Sequence, residues 1–532
     1  MGIFDKLFKK AEPKKNMNVF DRLYNYQMAA VEKCVESDKG IVCMPTGVGK
    51  TFCQAAIIAD DILNHRGQFR MYVVNAPRIV LTYQLLKEVY GFLVHENIEA
   101  RYMFVHSGGK TDEKELEEIR IRAKLEGADI PFSEIGSGTG VPGIIEMMKK
   151  AKKQDLPLIF FSTYNSAERI EEARLQFTNR QISITMNDEA HYLVQEQFHD
   201  ILHILKTERC YFFTATTIHT PSDKGRGMNN KELYGEILYE MIPRQAIDMG
   251  KMVRPRLHYV VTDGVYNRDD YERSLNKIIK DTFEQHEKIL KKTTPKILVT
   301  ARDTSDIKYF INNSPEYLQL RARGVDIYAV SSNDEIGNFI NGETTRRADF
   351  LKRLKEDGTN PTKKLIVLHY DILAEGIDVS GFSGIMPLRT LSKSKFLQTF
   401  GRCARPDVED RKKIDIGEIG PNDLNKMNKP FAYIMLPMIF NGNEDDKENV
   451  RQLIEELRTY RFNPSEDIVG SPEDGGIGDP EDPDAVNPPR RRNNRPGRMI
   501  DELQAQLEEE ERARIASKLS KEELLKKYYG LK

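Results

Sequence analysis

At 532 residues the chain exceeds one ordinary core, and 39% hydrophobic with 30% charged residues is the composition of a folded globular protein, not a disordered or fibrous one. Its 80 basic residues offset 82 acidic ones, which excludes long-range steering by net charge and requires any phosphate-binding surface to be local. No apolar run reaches membrane-spanning length, and Cys34, Cys43, Cys53, Cys210 and Cys403 show neither zinc-site spacing nor a disulfide framework, which reads as a reducing, cytoplasmic setting.

Taken in chain order, residues 1–17 place Ile3, Phe4, Leu7 and Phe8 on one helical stripe and lysines on the other. The reading is a solvated tail, with a basic amphipathic anchor as its competitor. No secretory pattern is present, and Lys6 stands where an N-myristoylation pattern needs Ser or Thr. Residues 18–250 then alternate helical-period stretches with the apolar runs GIVCMP, RMYVVNAP, LPLIFFSTY, ISITMND and CYFFTAT, each the length of a buried strand. Such alternation predicts an α/β domain whose parallel sheet is covered by helices on both faces. Between about 106 and 155 the pattern breaks into a charged helix, the Gly-rich loop IGSGTGVPG and a second charged helix ending MKKAKK, which reads as an insertion.

A second alternating series spans 251–462, with strands at KILVTA, DIYAVS, KLIVLHY, SGIMPL and FAYIMLP and a last helix at NVRQLIEELRTY. Residues 463–498 turn acidic, then basic, with too little apolar surface to offset ordering, and read as a disordered linker. Residues 499–532 read as a C-terminal helical segment suited to a protein partner, with Ser520 and Glu523 forming a capping box.

Two motifs carry chemistry. MPTGVGKT, Met44 to Thr51, follows a strand and opens a helix, as a phosphate loop requires, although Met44 replaces the usual first glycine. Thr46, Gly47, Val48 and Gly49 would turn backbone N–H groups toward phosphate oxygens. Lys50 would reach the terminal phosphates, and the Thr51 hydroxyl would ligate Mg²⁺. After the strand ISITMN come Asp188, Glu189, Ala190 and His191. Two adjacent acids at a strand end can divide the work: Asp188 holds Mg²⁺ and Glu189 acts as general base toward the attacking water. ATP and Mg²⁺ are the cofactors so implied.

With these motifs the stretch from Phe20 to Pro437 resembles the superfamily 2 helicases, in the branch that includes type III restriction helicase subunits and phage and repair helicases. The resemblance implies two tandem RecA-like domains. LYNYQMAAV resembles the adenine-recognition motif, with Gln27 on the adenine edge and Tyr24 where the branch often has Arg. NAPRIVLTYQL and FFSTYNSAERI look like strand-contact motifs, implying Arg78, Thr163 and Tyr164 as nucleic-acid contacts. TATTIHT resembles the coupling motif, with Thr214 and Thr216 joining His191. KILVTARDTSDI looks like the opening motif of the second domain, AIDMGKMVRP resembles the interdomain linker, and ILAEGIDVSG would supply Gly376 and Asp378 to the nucleotide. QTFGRCARP resembles the last motif. Gln398, Arg402 and Arg405 fall at helical steps of four and three, so one helical face would carry two guanidinium groups to the γ-phosphate. Where such an arginine finger has been dissected it contributes about 10³–10⁵ in turnover, which makes lobe closure the expected switch.

The function so implied is an ATP-dependent helicase or translocase held mainly by phosphate contacts, with DNA favoured over RNA as its track. The Gly-rich loop and MKKAKK helix stand as a candidate duplex clamp beside the strand-contact motifs. Two alternatives remain from other classes. One is an ATPase subunit of a restriction or remodelling complex that moves without separating strands. The other is a binding module that has lost hydrolysis, against which the intact set of Lys50, Asp188, Glu189, Arg402 and Arg405 argues.

Overall fold

Runs rich in β-branched and aromatic residues become strands buried on both faces, which is why they read as continuous apolar segments and not as alternating ones. The computed structural model describes residues 22–106, 136–138, 140–261, 271–312, 314–331, 336–370, 381–389, 391, 393–438 and 468–469. The tail 1–17, the helix NVRQLIEELRTY, nearly all of 463–498, the segment 499–532, and Gly376 with Asp378 lie outside these residues. Two compact units divide between Met241 and Ile242, so the connector sequence AIDMGKMVRP belongs to the second.

In the first unit, β1 (Lys39–Cys43), β2 (Met71–Ala76), β3 (Arg101–Val105), β4 (Gly136–Gly138), β5 (Leu158–Thr163), β6 (Ile182–Asp188), β7 (Thr207–Thr214) and β8 (Glu236–Glu240) form one sheet. Its order is β4-β3-β5-β2-β6-β7-β1-β8, and every pairing is parallel. The main helices are α1 (Asn25–Val35), α2 (Lys50–Asn64), α3 (Ile79–His95), α4 (Val141–Lys153) and α5 (Ala167–Phe177). Because the strands are parallel, their carboxyl ends share one rim, where ligands bind in open α/β sheets.

The expected insertion at 106–155 is corrected at its C-terminal end. β4 pairs with β3 through Met103↔Gly136 to Val105↔Gly138, and α4 buries Ile144, Met148 and Ala151 in the same core as Val73, Phe160 and Ile170. Those three positions share one helical face, so this charged-looking helix is an amphipathic crossover. Its lysines 149, 150, 152 and 153 are exposed. α4 leads from the carboxyl rim down to the amino end of β5, and Gln154 just past it accepts the Nε–H of Arg101, the first residue of β3, at 2.8 Å. The basic end therefore lies at the amino rim, opposite Arg78 and Thr163, so the lysines lack the placement a clamp role needs, whereas Gly140 at the start of α4 follows β4 at the carboxyl rim.

The second unit contains β9 (Arg254–Val261), β10 (Lys296–Thr300), β11 (Val325–Val330), β12 (Asn338–Ile340), β13 (Glu343–Thr344), β14 (Lys364–His369), β15 (Gly384–Pro387), β16 (Phe431–Met438) and β17 (Ile468–Val469). Their order is β13-β12-β11-β14-β10-β15-β16-β9-β17, parallel apart from the antiparallel β11-β12-β13 edge. Its helices are α6 (Pro243–Asp248), α7 (Tyr271–Ile289), α8 (Thr304–Ile311), α9 (Pro315–Ala322), α10 (Arg347–Thr359), α11 (Lys393–Cys403) and α12 (Val408–Asp415). Phe283, Val299, Phe310, Ile327 and Leu368 centre a core that joins α7 and α8 to the sheet.

A candidate nucleotide site at the carboxyl rim

β7 lies between β1 and β6, and the register pairs Cys43 with Thr214 and Asp188 with Phe213. The candidate phosphate loop that follows β1, Thr214 at the end of β7 and the acidic pair at the end of β6 therefore occupy neighbouring strand ends. The loop starts on a fixed point, since Met44 N donates to the Thr214 carbonyl at 2.9 Å.

Gly47 and Gly49 both adopt φ +88°, the left-handed region that glycine enters without steric cost. At Gly49 space matters as much as angle, because a Cβ there would sit 2.3 Å from Gln27 Nε2. That amide donates to the Val48 carbonyl at 3.2 Å and to the Gly49 carbonyl at 3.3 Å, while Gln27 Oε1 accepts Tyr24 N at 3.0 Å. Tyr26 OH adds a bond to Val48 O at 2.9 Å, and its ring stacks on Tyr24 at 5.6 Å. Gln27, expected on the adenine edge, is thus built into the support of the phosphate loop.

Lys50 is buried, and its Nζ donates to the Met44 carbonyl at 3.1 Å and the Pro45 carbonyl at 3.4 Å. Thr51 is the next residue of α2, half-buried. Asp188 is buried with its Oδ1 accepting Gln54 Nε2 at 2.8 Å. Burial, then Glu189 beside it, pushes the Asp188 carboxyl well above the usual carboxylate range, against Lys50 and the Gln54 hydrogen bond. A bound cation would relieve that like-charge crowding.

Glu189 sits at φ +49° and begins a short 3-10 turn. Its buried Oε2 has no hydrogen bond and stands 3.5 Å from His191 Nδ1. His191 Nδ1 is also 3.2 Å from Thr214 Oγ1, and that hydroxyl donates to the Thr216 carbonyl at 2.7 Å. His191, Thr214 and Thr216 are thereby brought together as the sequence suggested. Orphaned buried oxygens at Glu189 and Thr46, two left-handed glycines and a lysine resting on loop carbonyls are a donor set that fits a triphosphate with its divalent metal.

The three expected strand contacts separate. Arg78 is exposed at the start of α3. Tyr164 is fully buried, packs on Phe198 and donates its hydroxyl to the Asp188 carbonyl at 2.6 Å. It cannot meet a nucleic acid, and supports the acidic pair from below. Thr163 is buried too, its hydroxyl given to Ser166 Oγ at 3.0 Å. Both were assigned from position after a strand, which does not tell the inner side of a turn from the outer.

In the second unit Gln398 is buried on α11 and Arg402 is half-buried near its end. The single helical face expected for all three residues does not form, because α11 stops at Cys403 and leaves Arg405 in the bend beyond it. Pro406 disfavours the helical conformation at the preceding residue, and Asp407 then caps α12 by accepting Glu409 N at 3.0 Å.

Gln54 was missed. It had a legible signal, a polar residue one turn beyond Lys50 in the otherwise apolar stretch Phe52 to Ala59.

Two open parallel-sheet units, the first with a phosphate loop beside an acidic pair, define a tandem RecA-like α/β protein. Residues 21–219 match the family model described as type III restriction enzyme, res subunit. Among solved structures the chain is similar to the ATP-dependent Type ISP restriction-modification enzyme LlaBIII bound to DNA, with TM-score 0.58, 18% identity, and coverage of 84% of this chain and 30% of that one. It is also similar to a nuclease-deletion mutant of the Type ISP enzyme LlaGI in complex with a DNA substrate mimic, with TM-score 0.53, 18% identity, and coverage of 82% and 29%. At such identity the likeness is one of fold, and the chain spans under a third of the length of either enzyme. No curated protein sequence matches it.

Proposed function

We propose that the chain is an ATP-driven motor on nucleic acid, with DNA as the favoured track and strand separation as the favoured output. The observation that carries this reading is the juxtaposition of Lys50 and the Asp188–Glu189 pair at neighbouring strand ends, joined through Gln54 and Thr214. The backbone of Thr46 to Gly49 and the Lys50 ammonium hold the phosphates. Thr51 and Asp188 hold Mg²⁺, which when bound supplies charge neutralisation to the transferred phosphoryl group. Glu189 orients and deprotonates the attacking water. Arg402 and Arg405 answer the charge developing on the γ-phosphate, with Gln398 beside them and Gly376 and Asp378 on the nucleotide. Arg78 engages the phosphate backbone, and His191 relays the state of Glu189 to Thr214 and Thr216.

The test is ATP turnover by the full chain with single-stranded DNA, for wild type, Lys50→Ala and Glu189→Gln. Each substitution is expected to lower kcat by about 10²–10³, with Glu189→Gln still binding ATP. Wild-type turnover in both variants would contradict the reading. A second reading, a translocase module that moves on duplex without separating strands, is favoured by the two neighbours, which are restriction-modification enzymes much longer than this chain.

A further inference from the structure

The carbonyls that close α11 have no intrahelical partner, as at any helix C-terminus. Most helices meet this need with a glycine turn or water. Here a buried ammonium does so. Lys429, 5% exposed, donates its Nζ to the carbonyl of Cys403 at 2.6 Å and to that of Arg405 at 2.8 Å. The carbonyl between them, Ala404, accepts Val253 N from the connector segment at 2.8 Å. The lysine is itself fixed, since the buried Asp410 carboxylate accepts Asn428 N and Lys429 N, each at 2.8 Å. Just upstream, Lys251 pairs with Asp415 of α12 at 2.6 Å.

Burying an ammonium is a costly way to cap a helix if stability alone is at stake. What this arrangement adds is fixed backbone geometry at three successive residues, including the one from which Arg405 projects. We infer that Lys429 is a positioning residue for the arginine pair, its ammonium clamping the Cys403 and Arg405 carbonyls so that Arg402 and Arg405 keep a set orientation. This rests on the proposed role of those arginines in turnover.

Burial pushes the Lys429 ammonium down to about 8; Cys403, Asp407 and Asp410 raise it and Arg405 lowers it further. The clamp is charged below that pH and neutral above it. Lys296, buried elsewhere in the same unit, is also pushed down to about 8, so a pH profile needs a variant that isolates Lys429.

The experiment measures single-stranded-DNA-stimulated ATP turnover for wild type, Lys429→Met, Lys429→Arg and Arg405→Ala, with folding checked by circular dichroism. Lys429→Met is expected to lower kcat about 10- to 100-fold while KM for ATP stays within about twofold, as for misplacement of a group outside the binding loop. Lys429→Arg, which keeps its charge at all accessible pH, should retain most activity. Wild-type kcat should fall as pH rises through about 8, and that of Lys429→Arg should not. The last comparison stands even if the methionine variant fails to fold. An alkaline fall in Lys429→Arg identical to wild type, or a folded Lys429→Met at wild-type kcat while Arg405→Ala is inactive, would overturn this inference alone. Wild-type turnover in Arg405→Ala would remove the arginine reading and this inference with it.

Discussion

Gln54 reaches Asp188 from one turn into α2, with its other amide atom, Oε1, buried and unpartnered beside it. A hydrogen bond to a charged group contributes about 1.5–3 kcal/mol, and 1.4 kcal/mol is tenfold in an equilibrium constant. Gln54→Leu is therefore expected to raise the Mg²⁺ concentration for half-maximal ATP turnover roughly tenfold or more, with the fold intact by circular dichroism. An unchanged Mg²⁺ dependence would make Gln54 a packing residue only. At this scale the placement of Lys50, Asp188, Glu189 and His191 about one rim was legible because each sits at a fixed step from a strand end. Tyr164 and Thr163 were not, since their neighbours in sequence are the same whether the side chain turns outward or, as here, under the acidic pair.

Strands buried on both faces announced themselves as apolar runs, and β1, β2, β5, β6, β10, β11 and β14 lie where those runs fall. β8 did not, because its outer-edge position leaves Glu236, Ile237 and Glu240 exposed and no apolar run forms. β9 was hidden by composition: Arg254, Pro255 and Arg256 argue against a central strand, yet it pairs with β16 over its whole length, and Arg256 stacks on the Phe431 ring at 3.6 Å. α4 was recognised as a helix but given the wrong task, because its lysines outnumber its buried residues. Its apolar face predicts that Ile144→Ala or Met148→Ala costs about 2–5 kcal/mol in urea denaturation. Its lysines at the amino rim predict that neutralising Lys149 and Lys153 together leaves DNA-stimulated turnover unchanged. Loss of stimulation in that double variant would restore the clamp.

The whole molecule consists of two units built on the same alternation. The second carries His258 and His286, both buried; burial holds the first down to about 4 and, with His258 nearby, the second down to about 3. Both ring nitrogens of His258 lack hydrogen-bond partners, whereas His286 Nε2 meets Ser383 Oγ at 2.8 Å. Each folded value lies below that of an unfolded histidine, so the unfolded chain binds more protons as pH falls from about 6.5, and stability drops until the folded values are reached. Between pH 7.5 and 5 each histidine should remove on the order of 2 kcal/mol, seen as a lower urea midpoint for the second unit. A midpoint flat across that range would contradict the burial of this pair.

Two-unit organisation was legible from the repeated alternation. The track was not, since the phosphate contacts proposed here would carry no information on which sequence is bound. What the proposed function predicts is hydrolysis that depends on a polyanion. The most direct measurement is the ATP turnover rate of the full chain alone and with single-stranded DNA, duplex DNA, branched DNA or RNA, using Lys50→Ala as the blank. The expected result is stimulation above the blank by at least one nucleic acid, strongest with a DNA and steeply weakened by salt. A wild-type rate that no nucleic acid changes would contradict the account.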